Sequence, residues 1–221
     1  MKQLSGWQTV LSWLVGVSVD ERQSAINGPL YVSRFRGEWL VSTDHAVRGY
    51  GLRYQPFKTA FEFLSIWEKP IKNVLVLGAA TGSIPTLLTR HDQQFEFDVV
   101  EPDESLQQLA QELLPEALKT QLRWHASTGI DFLQSTSNTY DLIVVDELEA
   151  DTLTPALLKQ SAVEQLKRHL APNDQLLVHH PAGKHRLKQA ANNYFEGTFK
   201  HVFRNALKRQ IGDALVFIAQ G

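Results

Sequence analysis

The sequence contains no cysteine. That absence excludes disulfides, thiolate-ligated metals and thiol nucleophiles, and it fits a reducing compartment such as the cytoplasm. Charge of either sign is not in excess. Lys and Arg number 22 against 24 Asp and Glu, a net charge of −2, so nothing overall draws the chain to nucleic acid or to an anionic membrane. Long apolar runs are missing too: none reaches the ~18 residues that a membrane span needs. The stretch from Val10 to Val19 has one lysine ahead of it, two tryptophans in or near it and no A-x-A site. It is therefore read as an amphipathic helix and not as a signal-peptide core. Leu4, Trp7, Leu11 and Leu14 share one face of that helix, which is expected to dock on the rest of the protein.

Apolar residues, by contrast, are plentiful. At 43% of 221 residues they suffice for one large domain, or for one domain with a small appendage. From residue 71 the pattern alternates regularly. Ile71–Leu77, Phe95–Glu101, Leu122–Ala126, Tyr140–Asp146 and Leu176–His180 read as strands. Helical stretches lie between them, over about Ile84–Arg90, Glu104–Leu114, Ile130–Gln134, from Thr154-Pro155 to about His169, and over Lys184–Tyr194. "APNDQ" reads as a turn before the fifth strand. Phe199–Lys208 and Ala214–Ala219 then read as two strands too close together for a helical crossover, hence antiparallel neighbours. The expectation is an α/β fold with a seven-stranded, mostly parallel, Rossmann-like methyltransferase sheet whose last strand is antiparallel. Residues 1–70 are expected to form a separate element: a helix, a β-hairpin around Arg36-Gly37 and a lead-in helix from Phe57 to Trp67. Residues 71–221 form the main domain.

In open α/β sheets ligands bind beyond the carboxyl ends of the strands. After the first strand comes Gly78-Ala79-Ala80-Thr81-Gly82. Gly78 permits a tight turn, Gly82 lets the next helix begin close to a ligand, and the methyl of Ala80 narrows the approach only slightly. Glu101 ends the second strand, 23 residues after Gly78, where a carboxylate can accept hydrogen bonds from both hydroxyls of a ribose. Thr128, beyond the third strand, stands where an adenine is commonly met, but it also suits the N-cap of a short helix with Asp131 in its first turn. The fourth strand ends in "DELEAD", with Asp146, Glu147, Glu149 and Asp151. Acids so crowded suit a cationic amine. Asp146 is the one that solvation alone does not explain. Glu147 is expected to point away from the acceptor. His179 and His180 alternate across the fifth strand, so they do not form a metal site and no metal is expected, while a general-base role for one of them stays open.

With these residues in view, the chain resembles the spermidine synthase (aminopropyltransferase) family, from the "NGPLYV…GEWLVST" hairpin through "RYQPF" to the final strands. "VLVLGAATG", "VVEPDE", "STGIDFL" and "YDLIVVDELE" carry the resemblance. It implies an N-terminal β element over a methyltransferase-like domain, a homodimer, and aminopropyl transfer from decarboxylated S-adenosylmethionine to an amine. It also implies that Glu101 holds the ribose, and that Asp146 and Glu149 hold and deprotonate the attacking amine. The departures are Thr81 and Thr128, where the family has aspartates, Pro56 in place of a glutamate after Tyr54-Gln55, and glutamate at 149. Threonine at 81 is common in the methyltransferase fingerprint. Three readings follow: transfer from S-adenosylmethionine, with methyl transfer put first because of those replacements; a polyamine aminopropyltransferase; or a non-catalytic adenosyl-binding relative. The acceptor is a small molecule in either catalytic case. A nicotinamide dehydrogenase fits the terminal hairpin poorly.

Overall fold

The computed structural model describes residues 5–78, 81–91 and 93–221, so Ala80 lies outside the described residues. A short helix α1 (Gly6–Leu11) leads into four antiparallel strands in sequential order, β1 (Val17–Ser24), β2 (Gly28–Phe35), β3 (Glu38–Ser42) and β4 (Val47–Gly49). The hairpin turn is at Arg36-Gly37, both in the left-handed region, as a two-residue turn matching strand twist requires. Helix α2 (Gln55–Phe63) connects this small sheet to the main one.

The main sheet is built from β5 (Asn73–Leu77), α3 (Ser83–Leu88), β6 (Glu96–Val100), α4 (Glu104–Leu113), α5 (Glu116–Lys119), β7 (Leu122–His125), α6 (Gly129–Ser135) and β8 (Tyr140–Val145). A two-stranded loop, β9 (Leu148–Glu149) with β10 (Thr152–Leu153), follows. Then come α7 (Gln160–His169), β11 (Leu170–Pro181), α8 (His185–Tyr194), α9 (Lys200–Val202), β12 (Leu207–Ile211) and β13 (Ala214–Gln220). The seven strands run in the order β12-β13-β11-β8-β5-β6-β7, with β13 antiparallel to both neighbours and β8, β5, β6 and β7 parallel. The expected sheet is present. Val74 and Val76 face a cluster with Phe57, Phe61 and Leu87, while Leu75 and Leu77 face one with Val163, Leu166 and Phe217. Burial on both faces explains the unbroken apolar strands, each aliphatic contributing about 1.5–3 kcal/mol.

Four local expectations change. Phe199–Lys208 is not a strand at its start: a π-helical turn over Phe195–Phe199 runs into α9, and the strand begins at Leu207. Phe195, Phe199 and Phe203 stack on one another at a spacing of four, and Phe195 and Phe199 also pack on Phe217, which holds the helical conformation. "APNDQ" is not a free turn but a register irregularity within β11, with Asn173 in the left-handed region. The segment after Thr154 begins as a 3-10 turn, Pro155–Leu158, before α7. Finally, α1 stops at Leu11, and of the face expected to dock Trp7, Leu11 and Leu14 are exposed, while Leu4 lies outside the described residues.

The small sheet lies against α4. Leu30, Val32 and Val41 bury against Leu106 and Leu109. Asp103 caps α4, accepting from the backbone N–H of Ser105 at 2.9 Å, and also accepts from the Ser24 hydroxyl and from Asn27 Nδ2 at 2.6 Å. Arg22 adds a bidentate pair to Glu112, at 2.8 and 2.6 Å. The N-terminal sheet thereby forms a roof beside the carboxyl edge of the main sheet.

Candidate active site

Strand order reverses between β5 and β8, so their carboxyl ends define the crevice of this fold. Two bonds continue the ladder past the strand ends: Gly78 N–H to Val100 O at 2.8 Å, and Asp146 N–H to Leu77 O at 2.7 Å. They place Gly78, Glu101 and Asp146 together. Gly78 has φ +82, and a Cβ there would sit 2.3 Å from the backbone nitrogen of Glu147. Only glycine fits, as expected. Gly82 has φ +71, but a Cβ there would meet Leu114 at 2.6 Å. Its requirement comes from helix packing as well as from the turn.

Two cavities flank Asp146. The first, about 280 Å³, is lined by Glu101, Thr128, Asp146, Glu147 and Glu149, with Arg48 and Asn27 from the roof. Its size is at the lower end of the usual ~300–1,000 Å³ for small-molecule sites. Glu101 is buried, and its Oε1 accepts from Asp103 N–H at 3.1 Å. Thr128 is the N-cap of α6: its Oγ1 accepts from Asp131 N–H at 3.3 Å and donates to Asp131 Oδ2 at 2.6 Å, while still lining the cavity. Both readings of Thr128 are compatible. Thr81 is buried with its hydroxyl 3.0 Å from Ser83 Oγ, and it is not among the lining residues of this cavity.

Glu147 lines the first cavity, where the expectation only placed it away from the acceptor. The chain leaves the strand after Val145, so alternation no longer holds. Glu147 is buried in the cavity wall and accepts from Gly129 N–H at 2.7 Å. Burial raises its pKa, against the opposing pull of that N–H. Glu149 is exposed on the β9–β10 loop, at the rim of the first cavity.

The second cavity, about 430 Å³, is lined by Tyr54, Gln55, Tyr50, Leu148, Asp151 and His179, among others. Lys184 pairs with Asp151 at 3.0 Å on its wall. Asp146 lines the first cavity and is bonded to two residues in the wall of the second. Its Oδ2 accepts from Tyr54 OH at 2.8 Å and its Oδ1 lies 2.7 Å from His179 Nδ1. Burial, reinforced by the Asp146 charge, raises the Tyr54 pKa well above its ordinary value, so Tyr54 remains a donor. His180 lies on the opposite side of β11, 4.5 Å from the Phe217 ring, and burial pulls its pKa down to about 3.

Sequence reasoning missed Arg48. This arginine is buried, donates to Leu148 O at 2.8 Å and to Asn27 Oδ1 at 2.5 Å, and lines the first cavity. Its Nε has no hydrogen-bond partner among the described residues. Burial lowers its pKa while the charges of Asp146 and Glu101 raise it. The available signal was an arginine held between Val47 and Gly49, in a strand of three residues too short to show alternation.

The spermine/spermidine synthase domain matches residues 63–211, and the chain belongs to that family. A polyamine aminopropyltransferase from Clostridium perfringens is 35% identical over 83 residues, which are 36% of this chain and 29% of the relative. The matched stretch thus spans less than a third of that protein. Among solved structures, a probable spermidine synthase from Corynebacterium glutamicum superposes with a TM-score of 0.71 at 15% identity, over 93% of this chain and 80% of the other. Human methyltransferase-like protein 13, solved with SAH, gives 0.55 at 21% identity, over 69% and 72%. These likenesses show the fold: a spermidine-synthase-like sheet of Rossmann-like, methyltransferase type.

Proposed function

We propose that this chain transfers an aminopropyl group from decarboxylated S-adenosylmethionine to a small cationic amine. The sequence puts methyl transfer first because of Thr81 and Thr128. Family membership, with aminopropyltransferases among the relatives, supports the other order. The observation that carries the reading is Asp146, buried at the end of β8, which lines the Glu101 cavity and is hydrogen-bonded to Tyr54 and His179 in the wall of the other. In this reading the first cavity takes the nucleoside, with Glu101 on the ribose hydroxyls, and the second takes the acceptor. The amine nitrogen attacks the methylene bonded to sulfur. The C–S bond breaks, its electron pair neutralises the sulfonium, and methylthioadenosine leaves. The new nitrogen sheds one proton. Glu149, at the rim of the nucleoside cavity, attracts the ammonium group at a distance from the reacting carbon. The same reading divides the chain into a roof, residues 1–70, and a transferase unit, 71–221, and takes the active form to be a homodimer.

A second reading, methyl transfer from S-adenosylmethionine itself, is favoured by Arg48. A buried guanidinium with an unbonded Nε suits a donor that keeps its carboxylate. The test is to incubate the protein with each donor and a panel of amines and to identify products by mass spectrometry. Methylthioadenosine and an aminopropylated amine are expected. S-adenosylhomocysteine with a methylated acceptor would establish the second reading. Donor binding without turnover would leave a non-catalytic relative.

A further inference from the structure

We propose that His179, and not Asp146, is the base that removes the acceptor proton, with Asp146 as the residue that positions it. The inference rests on the transferase reading above. Both oxygens of Asp146 are engaged, one by Tyr54 OH at 2.8 Å and one by the His179 ring at 2.7 Å. A carboxylate held by two donors is a poorer proton acceptor than one left open. The His179 ring is clamped edge-on by Tyr54 and by Phe57, at 6.3 and 5.9 Å between centroids and 88° and 80° between planes. With Nδ1–H donating to Asp146, the remaining nitrogen, Nε2, carries the lone pair. Nε2 has no hydrogen-bond partner among the described residues, and His179 lines the acceptor cavity.

The chemistry favours the imidazole. Its Nε2 lone pair is open to the acceptor cavity, whereas both Asp146 oxygens already accept hydrogen bonds. As the N–C bond forms, the ammonium proton passes to Nε2. The imidazolium so produced is stabilised by the Asp146 carboxylate, and solvent later takes the proton. The charged and titratable groups around this ring are Asp146 and Tyr54 in contact, Arg48 beyond Asp146, and Tyr50, Asp151, Lys184, Asp213, Arg53 and His45 lining the cavity. His180 is next in sequence but on the other side of the strand.

The test compares wild type with His179→Gln and Tyr54→Phe across pH, measuring kcat, KM and donor affinity separately. For His179→Gln, kcat should fall by about 100-fold or more, with donor affinity within about twofold and the acid limb of the kcat profile lost. Free imidazole should restore part of the turnover of His179→Ala in proportion to its neutral form. Tyr54→Phe should retain the acid limb. On wild type, imidazole 15N NMR should report the Nδ1–H tautomer, a readout that survives even if the variants fail to fold. A kcat for His179→Gln within threefold of wild type, or an Nε2–H tautomer, would overturn the assignment and return the base role to Asp146. Absence of turnover by wild type with either donor would instead remove the transferase reading and this inference with it.

Discussion

Replacing Arg48 by methionine tests whether the roof is tied to the acidic loop through a buried charge. Methionine retains most of the stem volume and removes the guanidinium. Two short bonds are lost, to Leu148 O at 2.8 Å and to Asn27 Oδ1 at 2.5 Å, together with the longer contact to Ala150 O at 3.4 Å. Bonds to a charged donor contribute ~1.5–3 kcal/mol each, so the two short ones together give about 3–6. Against that stands the cost of keeping the guanidinium away from water, which is several kcal/mol for a buried ion and is relieved by the change. Asp146 and Glu101 also lose a nearby positive charge. The carbonyls of the β9–β10 loop lose a donor that methionine cannot replace. The net expectation is a destabilisation of about 2–4 kcal/mol. With a urea slope of ~2 kcal/mol/M for a chain of this size, the midpoint should fall by about 1–2 M at unchanged slope. A midpoint within ~0.3 M of wild type would show that desolvation cancels the contacts and that Arg48 does not hold the roof. If Arg48 selects a donor carboxylate, the same variant should lose S-adenosylmethionine affinity more than affinity for the decarboxylated form.

Glu101→Ala should weaken donor binding by two charge-assisted bonds of ~1.5–3 kcal/mol each, at least 100-fold by calorimetry; unchanged affinity would place the nucleoside elsewhere. Glu147→Gln should change the pH dependence of stability. Burial raises the Glu147 pKa above its ordinary 4.5, so the stability it contributes is present below that value and lost as pH rises through the folded pKa. The stability of the variant relative to wild type should therefore rise from about pH 4.5 towards neutrality and then level off, as read from urea midpoints near pH 4, 5.5 and 7. A flat difference across that window would contradict a raised pKa.

Much of the sheet was legible because β5 and residues 142–145 of β8 are buried on both faces and so appear as unbroken apolar runs, whereas β6 carries Glu96 and Asp98. Glu101 and Asp146 were legible because the parallel topology fixes where strand ends lie. What was missed follows from the limits of periodicity. Arg48 sits in a strand of three residues. Glu147 follows a strand end, where the period of two lapses and its backbone instead abuts Gly78. Phe195, Phe199 and Phe203 have helical spacing, yet Phe199 and Phe203, as β-favouring aromatics close to a terminal strand, were read as part of it. The face of α1 that patterning expected to be covered is exposed, since an apolar stripe specifies a helix but not its partner. The pairing of His179 with Asp146 joins residues 33 positions apart, which local sequence does not reveal.

The turn after β6 carries two acids with different tasks. Asp103 takes the roof's Ser24 and Asn27, and its own backbone N–H donates to Glu101, the carboxylate assigned to the ribose. On the proposed reading, a movement of the roof disturbs the group that would hold the nucleoside. By reciprocity, any factor by which donor binding favours the closed roof is the factor by which closing the roof favours the donor. Substitution of Ser24, which does not line the Glu101 cavity, should therefore register as a change in donor affinity, and a bound nucleoside should slow hydrogen exchange in β1 and β2.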